Sequence, residues 1–491
     1  DARQKSSHLN SGTHPMSEAS CTIPRLSTGI AGLDTILGGG LFQHGMYMIE
    51  GPSGAGKTIL SAQMCFHHAR AGRKILYITL VAESHGKLIN NLRAFDFLDD
   101  SLIPDRLILT SGYQELKSAG LSGLLQLIAH AVSEHRPTIL VIDGYRSIHT
   151  LTPEPGAVAE FVYELSTLIT TTKCLCLLLS PRDESELWTE KTLMDGVIEL
   201  DRHSNGMRSM RELEVHKMRA SAQIEGRHVF TISAAGINVF PRLEAAIARN
   251  VPPQESDERV AFGIEGFDDM LHGGVMRGSA TCLLGPPGSG KTTMGLHFLN
   301  QGTMLNEPSL YFGFYESPPR LLSKAAKLHM QLGAAYSAGA FDIIWQPLLE
   351  HRMDELTTAL FDNVLKRNVR RVVIDGLKRF LQSAMRPERI SLFFDALVGE
   401  LHHMQVTTIY TEEIPLFTRE IAPSAFSMST LAENIVLVRH FQHEATMRRT
   451  VAVIKQRESG HDHGVREFWI EDHGVRVAPD NGSAQVFLAG R

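Results

Sequence analysis

Two stretches of this chain have the residue types and spacing to hold a polyphosphate. Gly51-Pro-Ser-Gly-Ala-Gly-Lys57-Thr58 and Gly285-Pro-Pro-Gly-Ser-Gly-Lys291-Thr292 both fit G-x-x-x-x-G-K-[ST]. Glycines at these places let the backbone curl until its N–H groups converge on a phosphate, and the helix that follows turns its positive end to the same charge. Gly51, Ser53, Gly54, Ala55 and Gly56 form one expected cradle; Gly285, Pro287, Gly288, Ser289 and Gly290 form the other. Lys57 and Lys291 are expected to reach the β- and γ-phosphates of ATP, with the hydroxyls of Thr58 and Thr292 as ligands of Mg2+. A chance glycine-rich turn would explain one copy, but not two in the same setting.

Carboxylates follow at matching places. Asp143 and Asp375 end apolar runs downstream of the two loops, where a carboxylate can hold the shell of a bound Mg2+. A strand-end Asp is often only a turn or cap residue, and its recurrence here favours the metal role. Hydrolysis also needs a group that orients or deprotonates water. Glu83 and Glu316, each just past a second apolar run, are the candidates, against the alternative of solvated loop side chains.

The elements that must position these groups alternate. Ile75–Leu80, Ile139–Ile142 and Leu175–Leu179 are short, continuous apolar runs, the pattern of parallel strands buried on both faces, and longer amphipathic stretches such as Gly123–His135 lie between them. This predicts an α/β fold, a mostly parallel twisted sheet flanked by helices. The pattern occurs twice. Gly29-Ile-Ala-Gly-Leu-Asp34 with Gly39-Gly40 returns as Gly263-Ile-Glu-Gly-Phe-Asp268 with Gly273-Gly274. Lys217-Met-Arg219 returns as Lys455-Gln-Arg457, and Phe230–Gly236 as Phe468–Gly474. The landmarks keep their order and nearly constant spacing, so the chain reads as a duplicated P-loop domain, at 22–248 and 260–479. A polar tail (1–21), a linker (249–259) and a short end (480–491) complete the layout.

Composition narrows the function classes. With 491 residues, 43% hydrophobic and 21% charged, there is ample material for two cores. No apolar run approaches the ~20 residues of a membrane helix and no apolar leader opens the chain, which gives a cytoplasmic expectation. A net charge of −6 and 7% aromatic residues argue against a nucleic-acid partner. Cys174 and Cys176 read as small buried hydrophobes. His402, His403 and the group His461-Asp462-His463 lack a further metal ligand at a recognisable spacing and read as surface residues.

Taken with the opening G-[IV]-x-G-[LF]-D, the paired glycines, the late Lys-x-Arg motifs and Ser429-Thr430 before an apolar strand, the chain from Ser27 to Pro479 resembles the KaiC family of the RecA superfamily. That resemblance implies a homo-hexameric double ring with ATP between neighbouring subunits. It implies that Lys217 and Arg219, and Lys455 and Arg457 in the second tier, touch the γ-phosphate held by the next subunit, a charge that stabilises phosphoryl transfer. It also implies self-phosphorylation on Ser429 or Thr430, making the protein a serine/threonine autokinase used for signalling or timing, with an unidentified signalling partner protein. The family pairs two acidic residues at each catalytic position; Ala82-Glu83 and Tyr315-Glu316 keep one. The competing classes are a RecA-type DNA motor and a nucleotide-switched scaffold with little hydrolysis.

Overall fold

The computed structural model describes residues 24–81, 85–152, 154, 156–182, 188–205, 208–247, 256–347, 352–415, 432–443, 445–457 and 460–479. Glu83, Ser429, Thr430 and the expected 1–21 and 480–491 ends lie outside the described residues.

Apolar runs that can be buried on both faces form the middle of each large sheet, and among the described residues each half carries a nine-stranded sheet and a separate two-stranded one. In the first large sheet, the strands Leu107–Ser111, Ile75–Thr79, Ile139–Asp143, Leu175–Ser180, Met46–Glu50 and Gly196–Asn205 lie side by side, parallel to one another. Arg208–Met218, Arg227–Ser233 and Gly236–Phe240 extend this sheet. The second large sheet repeats the order with Phe341–Trp345, Ser309–Gly313, Arg371–Asp375, Thr407–Glu413, Ala280–Gly285 and Asn434–His443, again parallel. Thr446–Gln456, Val465–Glu471 and Gly474–Val477 follow as an antiparallel extension. These are two tandem RecA-like domains, as the alternation of strands and helices predicts.

One strand separates each glycine-loop strand from the strand that ends in Asp143 or Asp375. Because all three run the same way, their carboxyl ends open on one edge of the sheet, where ligands of such folds bind.

Helices cover both faces. In the second half, Leu283, Tyr311, Val373 and Ile409 pack against Met294, Leu296 and Phe298 of the helix Lys291–Met304. The alternate strand positions Cys282, Leu310, Ile374 and Tyr410 meet Phe393, Phe394 and Leu397 of the helix Ile390–His403. In the first half the long helix Tyr113–His135 breaks its regular course at Gly120 (φ 66°), so its uninterrupted part is close to the amphipathic stretch read from sequence.

The described residues form two compact units, one drawn from the ranges 1–199, 216–223 and 233–237, the other from 200–215, 224–232 and 238–491. Within the second, Arg389 donates to both Glu244 oxygens (2.7 and 3.0 Å) and to both Asp354 oxygens (2.8 and 3.0 Å), and Arg386 donates to Glu212 at 2.8 Å. Asp354 and Glu212 are buried, so these pairs are screened little by solvent. Cys65, Cys174, Cys176 and Cys282 are buried free thiols. Among the described residues no helix is long and apolar enough to cross a membrane.

Candidate nucleotide sites

The two glycine loops fold alike. The helix Lys57–Arg70 starts at Gly56 (φ 115°) and Lys291–Met304 at Gly290 (φ 107°), a left-handed backbone that favours glycine. A Cβ at Gly290 would also come within 3.0 Å of Ile470. Neither helix start has a side-chain cap, which leaves its first N–H groups to an anionic ligand. Lys57 Nζ donates to the carbonyls of Gly51 (2.6 Å) and Pro52 (3.0 Å), and Lys291 Nζ to those of Gly285 (2.7 Å) and Pro286 (2.9 Å). Burial pulls both ammonium groups below the usual lysine range, against the opposing pull of Asp143 on one and of Glu413 and Asp375 on the other.

The carboxylates meet the loop threonines. Thr58 Oγ1 donates to Asp143 Oδ2 at 3.2 Å and Thr292 Oγ1 to Asp375 Oδ2 at 2.8 Å. A hydroxyl beside a carboxylate is an all-oxygen donor set of the kind Mg2+ takes. Motif reading missed the groups behind them. Tyr77 donates to Asp143 Oδ2 at 2.8 Å and Tyr311 to Asp375 Oδ2 at 2.6 Å, while Thr411 Oγ1 donates to Asp375 Oδ1 at 2.5 Å. Burial raises the carboxyl of Asp143 above its usual range, and the bonds from Tyr77 and Thr58 oppose that rise. The recurrence of a tyrosine at the middle of the same strand in both halves is visible in the sequence, but its partner is fixed only by strand order and register.

Glu316 stands beyond the strand Ser309–Gly313, with Oε1 accepting from Lys324 Nζ at 2.9 Å and Oε2 buried without a hydrogen-bond partner. Tyr315, at the place of the family's other acidic residue, is exposed, with its ring 5.9 Å from Arg379.

Lys217 and Arg219 are joined to a neighbouring segment of their own half. Lys217 Nζ donates to the carbonyls of Lys191 (3.0 Å) and Thr192 (2.9 Å), and Arg219 to the Thr192 carbonyl at 2.7 Å. Lys455 Nζ donates to the Ala432 carbonyl at 2.8 Å, and the Arg457 side chain is exposed. Gly196 and Asn434 hold the same register against the two glycine-loop strands. By that offset, Lys191 and Thr192 stand where the second half has Ser429 and Thr430.

The first-half segment is pinned from two sides. Glu190 accepts from Tyr145 (3.1 Å) and lies 3.1 Å from His149 Nε2, and Lys191 pairs with Glu50 at 2.7 Å. Glu199, in register with Glu50, pairs with Arg182 (2.8 Å) and His216 (2.5 Å). Glu50, Glu199 and His216 approach one another within 4.8 Å, the closeness of metal ligands. Two cations already offset the two buried carboxylates, so this is an ion-pair network. In the second half the same places hold Leu284, Leu437 and Ile454.

The two folds and their twinned loops define the class: a tandem RecA-like ATPase. Comparison with known proteins agrees and narrows it. The profile of the KaiC ATPase family matches residues 26–244 and 260–482, and the chain belongs to that family. It is 25% identical over 481 residues to the circadian clock oscillator protein KaiC of Parathermosynechococcus lividus, covering 95% of this chain and 88% of that one. It is 24% identical to circadian clock oscillator protein KaiC 1 of a Synechocystis species, over 95% of this chain and 92% of the relative. Circadian clock protein KaiC3 of the same organism is also 24% identical, with 95% and 94% covered.

Proposed function

We propose that both halves of this KaiC-family ATPase bind Mg-ATP and hydrolyse it slowly in a six-subunit ring in the cytoplasm, and that the second half phosphorylates Ser429 or Thr430. The observation that carries this reading is the recurrence, at closely similar distances, of a lysine centred in its loop beside a threonine–aspartate pair. The uncapped helix starts fit a polyphosphate, and the threonine and aspartate oxygens fit Mg2+. Bound there, Mg2+ would supply positive charge to the phosphate oxygens.

The chain's own residues then divide the work. Lys57 and Lys291 neutralise and orient the phosphates. Glu316, and Glu83 in the first half, take the proton of an attacking water as its oxygen bonds to the γ-phosphorus and the bond to the ADP oxygen breaks. Lys217, Arg219, Lys455 and Arg457 act on the nucleotide of the adjacent subunit. In the kinase reaction the hydroxyl of Ser429 or Thr430 replaces water as nucleophile. The tie between Glu316 and Lys324 favours a second reading, a nucleotide-switched scaffold with little turnover in the second half.

Lys57→Ala and Lys291→Ala should each remove about half of the bound nucleotide, the loss expected of two equivalent sites. Full stoichiometry in either variant would remove that loop from the mechanism. Phosphate mapping by mass spectrometry after incubation with Mg-ATP tests the kinase reaction, and its absence from both residues in assembled protein leaves the ATPase alone.

A further inference from the structure

We propose that Tyr77 and Tyr311 are positioning residues for the cation-holding carboxylates, each fixing Asp143 or Asp375 so that one oxygen faces the loop threonine. The inference rests on the reading of Asp143 and Asp375 given above.

Register brings each tyrosine to its aspartate. Thr79 pairs with Asp143 and Tyr77 with Val141, so the tyrosine sits two residues behind the carboxylate on the adjacent strand and on the same face. Gly313 with Asp375, and Tyr311 with Val373, repeat this arrangement. Each ring therefore runs along the sheet toward its carboxyl edge and ends on the carboxylate. In the second half a Cβ at Gly313 would lie 2.3 Å from the Tyr311 ring, so the bare backbone of that glycine makes the ring's path available.

Packing alone does not call for the hydroxyl. Both rings are buried, at 2% and 0% exposure, where phenylalanine would bury the same apolar surface without the cost of desolvating an O–H. The chain carries tyrosine at this place in both halves, and in both the O–H finds the same partner. The oxygen that accepts it, Oδ2, is also the one that meets Thr58 or Thr292. A bond of this kind sets the rotation of the carboxylate, as outer partners of metal ligands do.

The halves differ in how much depends on the tyrosine. Asp375 has a further donor in Thr411, whereas the residue in register with Asp143 at that place is Leu179. Loss of the hydroxyl should therefore cost the first half more.

The test uses the full chain, a non-hydrolysable ATP analogue and Mn2+ as probe, with free Mn2+ read by electron paramagnetic resonance. Tyr77→Phe should weaken Mn2+ binding at one site about tenfold, the lower end for loss of an outer-shell partner, and Tyr311→Phe by less. Nucleotide binding in EDTA and the thermal midpoint should stay near those of the parent, which a merely structural role would not preserve alongside a metal defect. Asp143→Ala and Asp375→Ala are the controls. Unchanged Mn2+ affinity in both tyrosine variants, with affinity lost in the aspartate variants, overturns the inference alone. Unchanged affinity in the aspartate variants overturns the reading of those carboxylates and this inference with it. Where one tyrosine variant fails to fold, unchanged Mn2+ affinity in the other, with affinity lost in its aspartate control, overturns the inference for that half.

Discussion

A lysine that donates to two carbonyls of its own loop has its charge placed before any ligand arrives, and the ordering of that side chain is settled during folding. The carboxylates are treated differently. Asp143 and Asp375 are surrounded by hydroxyls, which donate to a carboxylate without bringing a charge of their own, whereas Glu316 is held by the ammonium of Lys324. If Glu316 is the proton acceptor of the second half, Glu316→Gln in a Lys57→Ala background should lower ATP turnover by about a hundredfold or more while nucleotide affinity stays the same. Steady-state phosphate release checks it. Unaltered turnover would move the chemistry to another group.

At the scale of elements, the loop helices are docked by matched but chemically different contacts. On the first helix Gln63 Oε1 accepts from the Ile237 N–H at 2.7 Å; at the same place on the second, His297 Nε2 accepts from Val475 N–H at 2.9 Å. Burial pulls His297 down to about 4, so the folded state keeps it neutral and able to accept. Above about pH 7.5 the ring is neutral in both folded and unfolded chains and contributes no pH dependence. As pH falls from there toward 4 the unfolded chain takes up a proton that the folded chain refuses, so stability declines through that window and levels off below it. The loss between pH 7 and pH 5 should be about 2 kcal/mol. His297→Gln borrows the residue of the first half and should flatten that slope in denaturant titrations; an unchanged slope would assign it to other groups. Such contacts mark the limit of what the amino-acid order reveals. The central strands were legible because their apolar runs are continuous, and the loops because their chemistry is local. Tyr77 against Asp143, or Glu50 against Glu199, depends on which strands become neighbours and in what register, and no periodicity within a single strand encodes that.

At the scale of the whole molecule, a few buried charges are costly to unpair. Arg389 is held between Glu244 and Asp354, and Arg389→Met would leave two carboxylates with little water and no cation bonded to either. The expected cost is about 3–5 kcal/mol, seen as a lower denaturant midpoint; a loss under about 1 kcal/mol would mean that solvent reaches the cluster. The bond between Glu50 and Lys191 carries the same physics into the history of the duplication. Lys191→Ser, which would give the first half the Ser-Thr pair of the second, should cost about 3 kcal/mol by stranding Glu50, and adding Glu50→Leu should recover most of it. An additive double variant would show that the two positions are uncoupled. With coupling of that size, the order of the two changes matters: Glu50→Leu first leaves a partly exposed lysine, whereas Lys191→Ser first strands a buried carboxylate. One ion pair thus makes the first half's loop segment sensitive to the sequence in which it is altered.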